Sequence, residues 1–349
     1  MKIVIDDKIP YIQEAASLIA DEVVYIKGSD IQNDDIRDAD ALIIRTRTRC
    51  DESLLKNSKV KFIATATIGY DHLDTDYLEK AGIQWSNCPG CNAKSVGQYV
   101  QASLLLLEKE KGYQLNQLKI GLVGAGHVGT AVQAALSPLG VTVLLNDPPK
   151  MQSMAEHKEN TTTYCSLQDI MEQCDIISFH TPLIRNGQWP TYHLADKKFF
   201  ANLKQRPVII NTSRGEVVDN TALLEAINEG QIREAIIDTW ENEPDINLEL
   251  LKKTYIGTPH IAGYSADGKA NASRMAIEAV CNFFKIKVNI SINPPSLTSP
   301  FKAGYTPTPK ELALSLYNPH RDSELLKQHP EHFEELRGNY PLRRELYDD

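Results

Sequence analysis

The sequence predicts an α/β protein with two mostly parallel sheets, one series of strands interrupting the other. Short apolar runs of buried-strand type alternate with helix-period segments along most of the chain. A glycine-rich turn follows a strand and opens a helix midway, the start of a second complete α/β series. The helix-like segment 266–285 then carries the chain away from that series, which makes the first domain discontinuous.

Strands of the first series read at residues 2–6, 23–26, 41–45 and 62–65, with helical segments at 11–20 and 75–80. The turn at Pro89-Gly90 precedes a long helix from Ala93 to about Lys111, closed by Gly112. Strands of the second series read at 119–123, 142–146, 175–179, 208–211, 235–238 and 255–258. Residues 291–310 hold five prolines and no helical period, as a linker or surface loop does. The last stretch alternates again at 312–316 and ends in charged, helix-compatible sequence. It is small for an independent core, so a part in dimer formation is expected of it.

Charge and composition exclude several function classes. The 349 residues carry 37 Lys plus Arg against 46 Asp plus Glu, a net charge of −9 that argues against a nucleic-acid or anionic-membrane partner. Hydrophobic residues at 42% and charged residues at 24% suffice for sizeable cores. Mean hydropathy is −0.33, and the most apolar stretch, 100–107, is far below the roughly 20 residues of a membrane helix. Acid enters within the first strand and no secretory apolar region is evident, so a soluble cytoplasmic protein is expected. The Cys88-Pro89-Gly90-Cys91 pair has no second pair or nearby histidines to complete a metal set. The six cysteines are therefore read as reduced thiols, and no metal is expected.

Gly124-Ala125-Gly126-His127-Val128-Gly129 has the G-x-G-x-x-G pattern in the strand–turn–helix setting that gives it meaning. Gly124 permits the tight turn, Gly126 lets backbone approach a pyrophosphate, and Gly129 lets helix and strand pack closely. His127 and Val128 sit at the helix start, where free N–H groups face the phosphates. Asp147 ends the next strand, placed to accept hydrogen bonds from the adenosine ribose and to repel a 2′-phosphate. NAD is the expected cofactor.

Three strand-end segments carry the remaining chemistry: Asn211-Thr212-Ser213-Arg214-Gly215, Asp238-Thr239-Trp240-Glu241-Asn242-Glu243-Pro244 and Thr258-Pro259-His260-Ile261-Ala262-Gly263-Tyr264. Together with the dinucleotide turn they resemble the D-2-hydroxyacid dehydrogenase family over roughly residues 1–288. The resemblance implies that Arg214 holds the substrate carboxylate, that His260 is the acid–base, and that Glu243 orients it. Glu241 is the competing carboxylate. Neutral imidazole takes a proton near neutral pH, and an adjacent carboxylate favours its charged form. The resemblance further implies cofactor contacts at Thr181, Thr212, Ser213, Asp238, Gly263 and Tyr264, with His180 beside the adenine; His72 reads as structural.

It also implies the layout: a Rossmann-type doubly wound parallel sheet (93–264) inserted into a second, discontinuous flavodoxin-like α/β domain (1–92 and 265–288). A small C-terminal α+β dimerisation region (289–349) completes a homodimer. Arg45-Thr46-Arg47-Thr48-Arg49 ends a strand, and strand alternation puts its arginines on one side, with Arg45 and Arg47 offered to an anion such as a phosphate. Thr67 replaces a glycine usual in the family's carboxylate loop. These features resemble a branch that takes a small phosphorylated 2-hydroxy acid, with Thr46 and Thr67 on the substrate. A sibling enzyme for a shorter phosphorylated acid, or a non-catalytic NAD-dependent binding module, remains as an alternative. Gln98 stands where many relatives have Glu.

Overall fold

The computed structural model describes residues 1–157, 164–301 and 305–346 and divides into two compact units. The first comprises residues 1–92 and 265–297, the second 93–264 and 298–349.

In the first unit, β1 (Lys2–Asp6), β2 (Glu22–Ile26), β3 (Ala41–Ile44), β4 (Phe62–Thr65) and β5 (Gln84–Ser86) are all parallel, in the order β2-β1-β3-β4-β5. That is the flavodoxin-like order. The pleat sends Ile3, Ile5 and Ile43 to one face and Val4, Leu42 and Ile44 to the other. The first face meets Ala270, Ala276, Ile277 and Val280 of the helix Ala266–Phe284; the second meets Ile36, Leu54 and Leu78. Because both faces are covered, the central strands β1, β3 and β4 are largely apolar runs. β5 is missing from the sequence reading because Gln84-Trp85-Ser86 is a three-residue edge strand with two polar positions.

In the second unit, β6 (Lys119–Val123), β7 (Thr142–Asn146), β8 (Ile176–Phe179), β9 (Val208–Asn211), β10 (Glu234–Ile237) and β11 (Ile256–Gly257) form a parallel sheet in the order β7-β6-β8-β9-β10-β11. Tyr164 adds one rung beyond β7 through Leu145. The winding reverses between β6 and β8, so Gly124 and His180 flank the switch point where open α/β sheets bind ligands. The helix Ala93–Lys111 lies close along the helix His127–Leu136: a Cβ on Gly97 would come within 3.0 Å of the Ala131 carbonyl.

The C-terminal segment differs from the expected α+β region. Its described residues from 305 form helices Pro309–Leu316, Pro319–Gln328 and Phe333–Gly338 and no strand. Residues 312–316 alternate in polarity but are helical, because Thr308 and Glu311 form a capping box with Pro309 in the first turn. These helices complete the second unit's cores: Ala313 and Tyr317 on one side of the sheet, Leu326 and Phe333 on the other. Arg343 is buried, with its guanidinium 4.0 Å from the Tyr317 ring centroid. It donates to Gln98 Oε1 (2.8 Å) and to the carbonyls of Ser95 (3.3 Å), Ile261 (3.1 Å) and Ala262 (2.6 Å).

None of the six cysteines forms a disulfide. No helix among the described residues is long and apolar enough to cross a membrane.

Candidate active site

The glycine-rich turn is shaped for a diphosphate. Gly124 has φ +96°, and a Cβ there would press on the His180 carbonyl at 2.7 Å; at Gly129 it would strike the Gly124 carbonyl at 2.0 Å. Gly126, by contrast, faces open space, with nothing within 4 Å of a Cβ. It starts the ten-residue helix His127–Leu136 without a side-chain cap, so the first-turn N–H groups remain for an anion. Val128 is half-buried behind an exposed His127. Asp147 accepts from Ala125 N at 2.9 Å with one oxygen and from Lys150 N at 3.1 Å with the other. Each oxygen keeps a lone pair for a ribose hydroxyl. The Lys150 ammonium donates to the Ala125 carbonyl, a neighbour the sequence reading omitted. The Thr181 hydroxyl is buried without a hydrogen-bond partner among the described residues. Such a group costs about 1–3 kcal/mol unless a ligand satisfies it. These residues fit NAD.

Behind the turn, the His180 ring nitrogens face Ser178 Oγ (2.9 Å) and Thr212 Oγ1 (3.3 Å), and burial pushes its pKa from 6.5 down to about 3. The unfolded chain therefore binds a proton below about 6.5 that the folded chain refuses until about 3. Stability falls as pH drops through that window. His180→Gln is expected to reduce the slope of unfolding free energy on pH between 6.5 and 4 by up to about one proton, read from urea unfolding. An unchanged slope would show that His180 protonates in the folded protein.

The three chemical segments converge on Trp240. Its carbonyl lies under Gly215, where a Cβ would sit 1.9 Å away, its N–H donates to Glu243 Oε1 (2.9 Å), and its indole donates to the Thr258 carbonyl (2.9 Å). Asn211 holds the turn before Gly215, donating to the Arg214 carbonyl and accepting from Ser213 N and Oγ. Among the described residues the Arg214 guanidinium donates one hydrogen bond, to the Ser213 carbonyl, and pairs with no carboxylate. It is a cation available to an anionic ligand.

His260 Nδ1 lies 2.8 Å from Glu243 Oε2, leaving Nε2 for a substrate. The backbone at His260 is left-handed, φ +57°, a conformation unusual for this residue type. Asp238 enforces it. Its carboxylate accepts from Thr258 Oγ1 (2.6 Å), Ile261 N (2.8 Å) and Ala262 N (2.9 Å), and its own carbonyl accepts from His260 N (2.8 Å). Burial raises the Asp238 pKa against these donors. Burial also pushes the Glu243 carboxyl up, but the His260 hydrogen bond and charge, the Trp240 N–H and the nearby Arg337 bring it below the ordinary range. Glu243 is thus an anion at neutral pH. Arg337, 3.4 Å from Glu243 Oε2, also interacts with Tyr264; it belongs to the C-terminal helices, which sequence reading left without a role in the site.

Glu241 is occupied elsewhere. It accepts from Asn220 N (2.8 Å) and faces His193 Nε2 (2.7 Å), while His193 Nδ1 faces Asp219 at 3.7 Å. These three side chains lie close enough together for a metal ion. However, the imidazole turns a different nitrogen to each acid and so links them directly.

In the first unit, β3 ends at Ile44, and residues 46–48 turn instead of extending, with Thr48 N bonded to the Arg45 carbonyl (3.2 Å). Strand alternation therefore does not govern the arginines. Arg45 is held by buried Asp6 through Nε (2.9 Å) and Nη2 (3.1 Å). This bidentate pair takes two of the five N–H donors of the guanidinium expected to bind substrate. Thr46 and Arg47 are exposed; Arg47 lines a cleft of about 330 Å³ with Gly28, Ser29 and Arg49. Thr67 is half-buried in the loop after β4.

Residues 93–262 match the family model of the NAD-binding domain of D-isomer specific 2-hydroxyacid dehydrogenases. The chain is 57% identical to the erythronate-4-phosphate dehydrogenase of Bacteroides fragilis, over 99% of this chain and 97% of that one. It is 41% identical to the Escherichia coli O7:K1 protein of the same name, over 99% and 92%. Among solved structures it resembles the D-lactate dehydrogenase of Aquifex aeolicus complexed with NAD and lactic acid, at 25% identity and a TM-score of 0.64, covering 84% of this chain and all of that one. The chain belongs to the D-isomer specific 2-hydroxyacid dehydrogenases. It is an NAD-dependent oxidoreductase whose full-length relatives carry the name erythronate-4-phosphate dehydrogenase.

Proposed function

We propose that the protein oxidises 4-phospho-D-erythronate at C2 to (R)-3-hydroxy-2-oxo-4-phosphobutanoate, a step towards pyridoxal 5′-phosphate (vitamin B6). The observation that carries this reading is the 57% identity along nearly the whole chain to an enzyme of that name. Arg214 binds the carboxylate and polarises the C2 oxygen, and His260 Nε2 takes the hydroxyl proton while anionic Glu243 supports the imidazolium. NAD, when bound, supplies the two-electron oxidation. Thr46 and Thr67 meet the substrate, exposed Arg47 takes the phosphate, and Arg45, held by Asp6, shapes the loop. Residues 289–349 support a cytoplasmic homodimer, which light scattering tests in solution.

The deciding experiment is NADH formation with 4-phosphoerythronate and, in parallel, 3-phosphoglycerate, compared as kcat/KM. A strong preference for the four-carbon acid is expected; preference for the three-carbon acid would move the substrate while keeping the chemistry. NADH binding without turnover on either would favour a binding module. Asp147→Asn is expected to narrow the kcat/KM preference for NAD over NADP by about tenfold, since it removes a repulsion and leaves Lys150 beside a 2′-phosphate. An unchanged ratio would place ribose recognition elsewhere.

A further inference from the structure

The loop after β4 carries a hydrogen-bond chain whose direction follows by elimination. Thr67 Oγ1 lies 2.9 Å from the Gly69 carbonyl. A carbonyl only accepts, so Thr67 spends its single hydroxyl proton there. Thr65 Oγ1, 2.6 Å from Thr67 Oγ1, must then be the donor of that pair. Thr65 has no proton left for His72 Nε2 at 2.9 Å, so the imidazole donates from Nε2. Thr65 and His72 are both buried, and burial lowers the His72 pKa, consistent with a neutral ring that carries its proton on Nε2. The backbone is fixed as well: Cys88 N donates to the Thr67 carbonyl (2.9 Å) and Asn87 Nδ2 to the Ile68 carbonyl (2.7 Å).

The half-buried Thr67 oxygen is therefore left with one lone pair and no proton to offer. It is matched to a donor and mismatched to a carboxylate or phosphate oxygen. The proposed substrate has two donors, its C2 and C3 hydroxyls, and the C2 hydroxyl proton goes to His260. We infer that His72 and Thr65 are positioning residues that hold Thr67 as an acceptor for the substrate's C3 hydroxyl, the group that 3-phosphoglycerate lacks. This rests on the substrate reading above and on Thr67 meeting the substrate. It gives His72, otherwise a structural residue, a part in specificity.

The test compares kcat/KM for 4-phosphoerythronate with kcat/KM for its 3-deoxy analogue, 2-hydroxy-4-phosphobutanoate. The wild-type enzyme is expected to prefer the hydroxylated acid by about tenfold or more, the scale of one hydrogen bond. Thr67→Val is expected to bring the ratio near one through a larger loss on the hydroxylated acid than on the deoxy acid, and Thr67→Ser to restore it. Thr65→Val, which releases Thr67 to rotate, is expected to lower the ratio by about threefold or more at a melting temperature near that of wild type. Should Thr65→Val fold poorly, His72→Phe removes the first donor and is held to the same expectation.

An equal loss on both acids in Thr67→Val would put Thr67 against the carboxylate or phosphate and overturn the proposal. So would a wild-type ratio near one. A full wild-type ratio in folded Thr65→Val or His72→Phe would overturn the positioning role. Failure of the underlying substrate reading looks different: the wild-type enzyme would then turn over neither four-carbon acid.

Discussion

Replacing His260 with Gln is expected to lower kcat by about two to four orders of magnitude, the usual contribution of a positioned general acid–base. NADH affinity, followed by fluorescence, is expected to stay within about threefold, because the glycine-rich turn and Asp147 are untouched. Gln can still donate to Glu243, so the variant removes the proton acceptor while preserving the contact that places it. Glu243→Gln leaves the imidazole in place without its anion and is expected to cost less. Near-normal turnover by His260→Gln at every pH would remove the acid–base assignment altogether.

Gly215→Ala is expected to be the most damaging single methyl in the second unit. The added carbon would lie 1.9 Å from the Trp240 carbonyl oxygen, 2.1 Å from its carbon and 2.6 Å from Glu241 N. All three are backbone atoms, so no rotamer change relieves the overlap. The strand ends bearing Arg214 and Glu243 must separate, with a loss of about 3 kcal/mol or more in urea unfolding and a fall in kcat/KM beyond what the residual folded fraction explains. A variant with wild-type stability and rate would show that these segments are not held in register by that contact.

Much of this architecture is legible in the sequence because its strands are buried on both faces. Runs such as Ile3-Val4-Ile5 and Val208-Ile209-Ile210 announce themselves without alternation. The glycine spacing is equally legible, since each glycine answers a particular collision or opening. What local sequence does not convey is the pairing of charges across long separations. Asp6 lies 39 residues from Arg45, and neither neighbourhood announces the other. The arginine run consequently reads as an anion site, although its first member is already held. Glu241 and Glu243 are adjacent in pattern, and what separates them is that His193 lies against one and His260 against the other. Trp240 carries no motif of its own, because its part depends on three backbone segments meeting around it. Arg337 and Arg343 lie in a stretch whose charge suggests a solvated surface, yet both approach the loop of His260.

The peptide groups just after His260 are gripped from both ends. The N–H groups of Ile261 and Ala262 point at the Asp238 carboxylate, and their carbonyls point at the Arg343 guanidinium. The two peptide groups thus stand aligned between the buried Asp238 carboxyl, whose pKa burial raises, and the buried Arg343 cation. Reorienting either one breaks hydrogen bonds at both ends in a medium that screens charge poorly. The loop that carries His260, the proposed acid–base, is therefore poled as well as packed: this alignment is completed during folding. Added salt, which weakens exposed charge pairs, should leave this alignment nearly untouched.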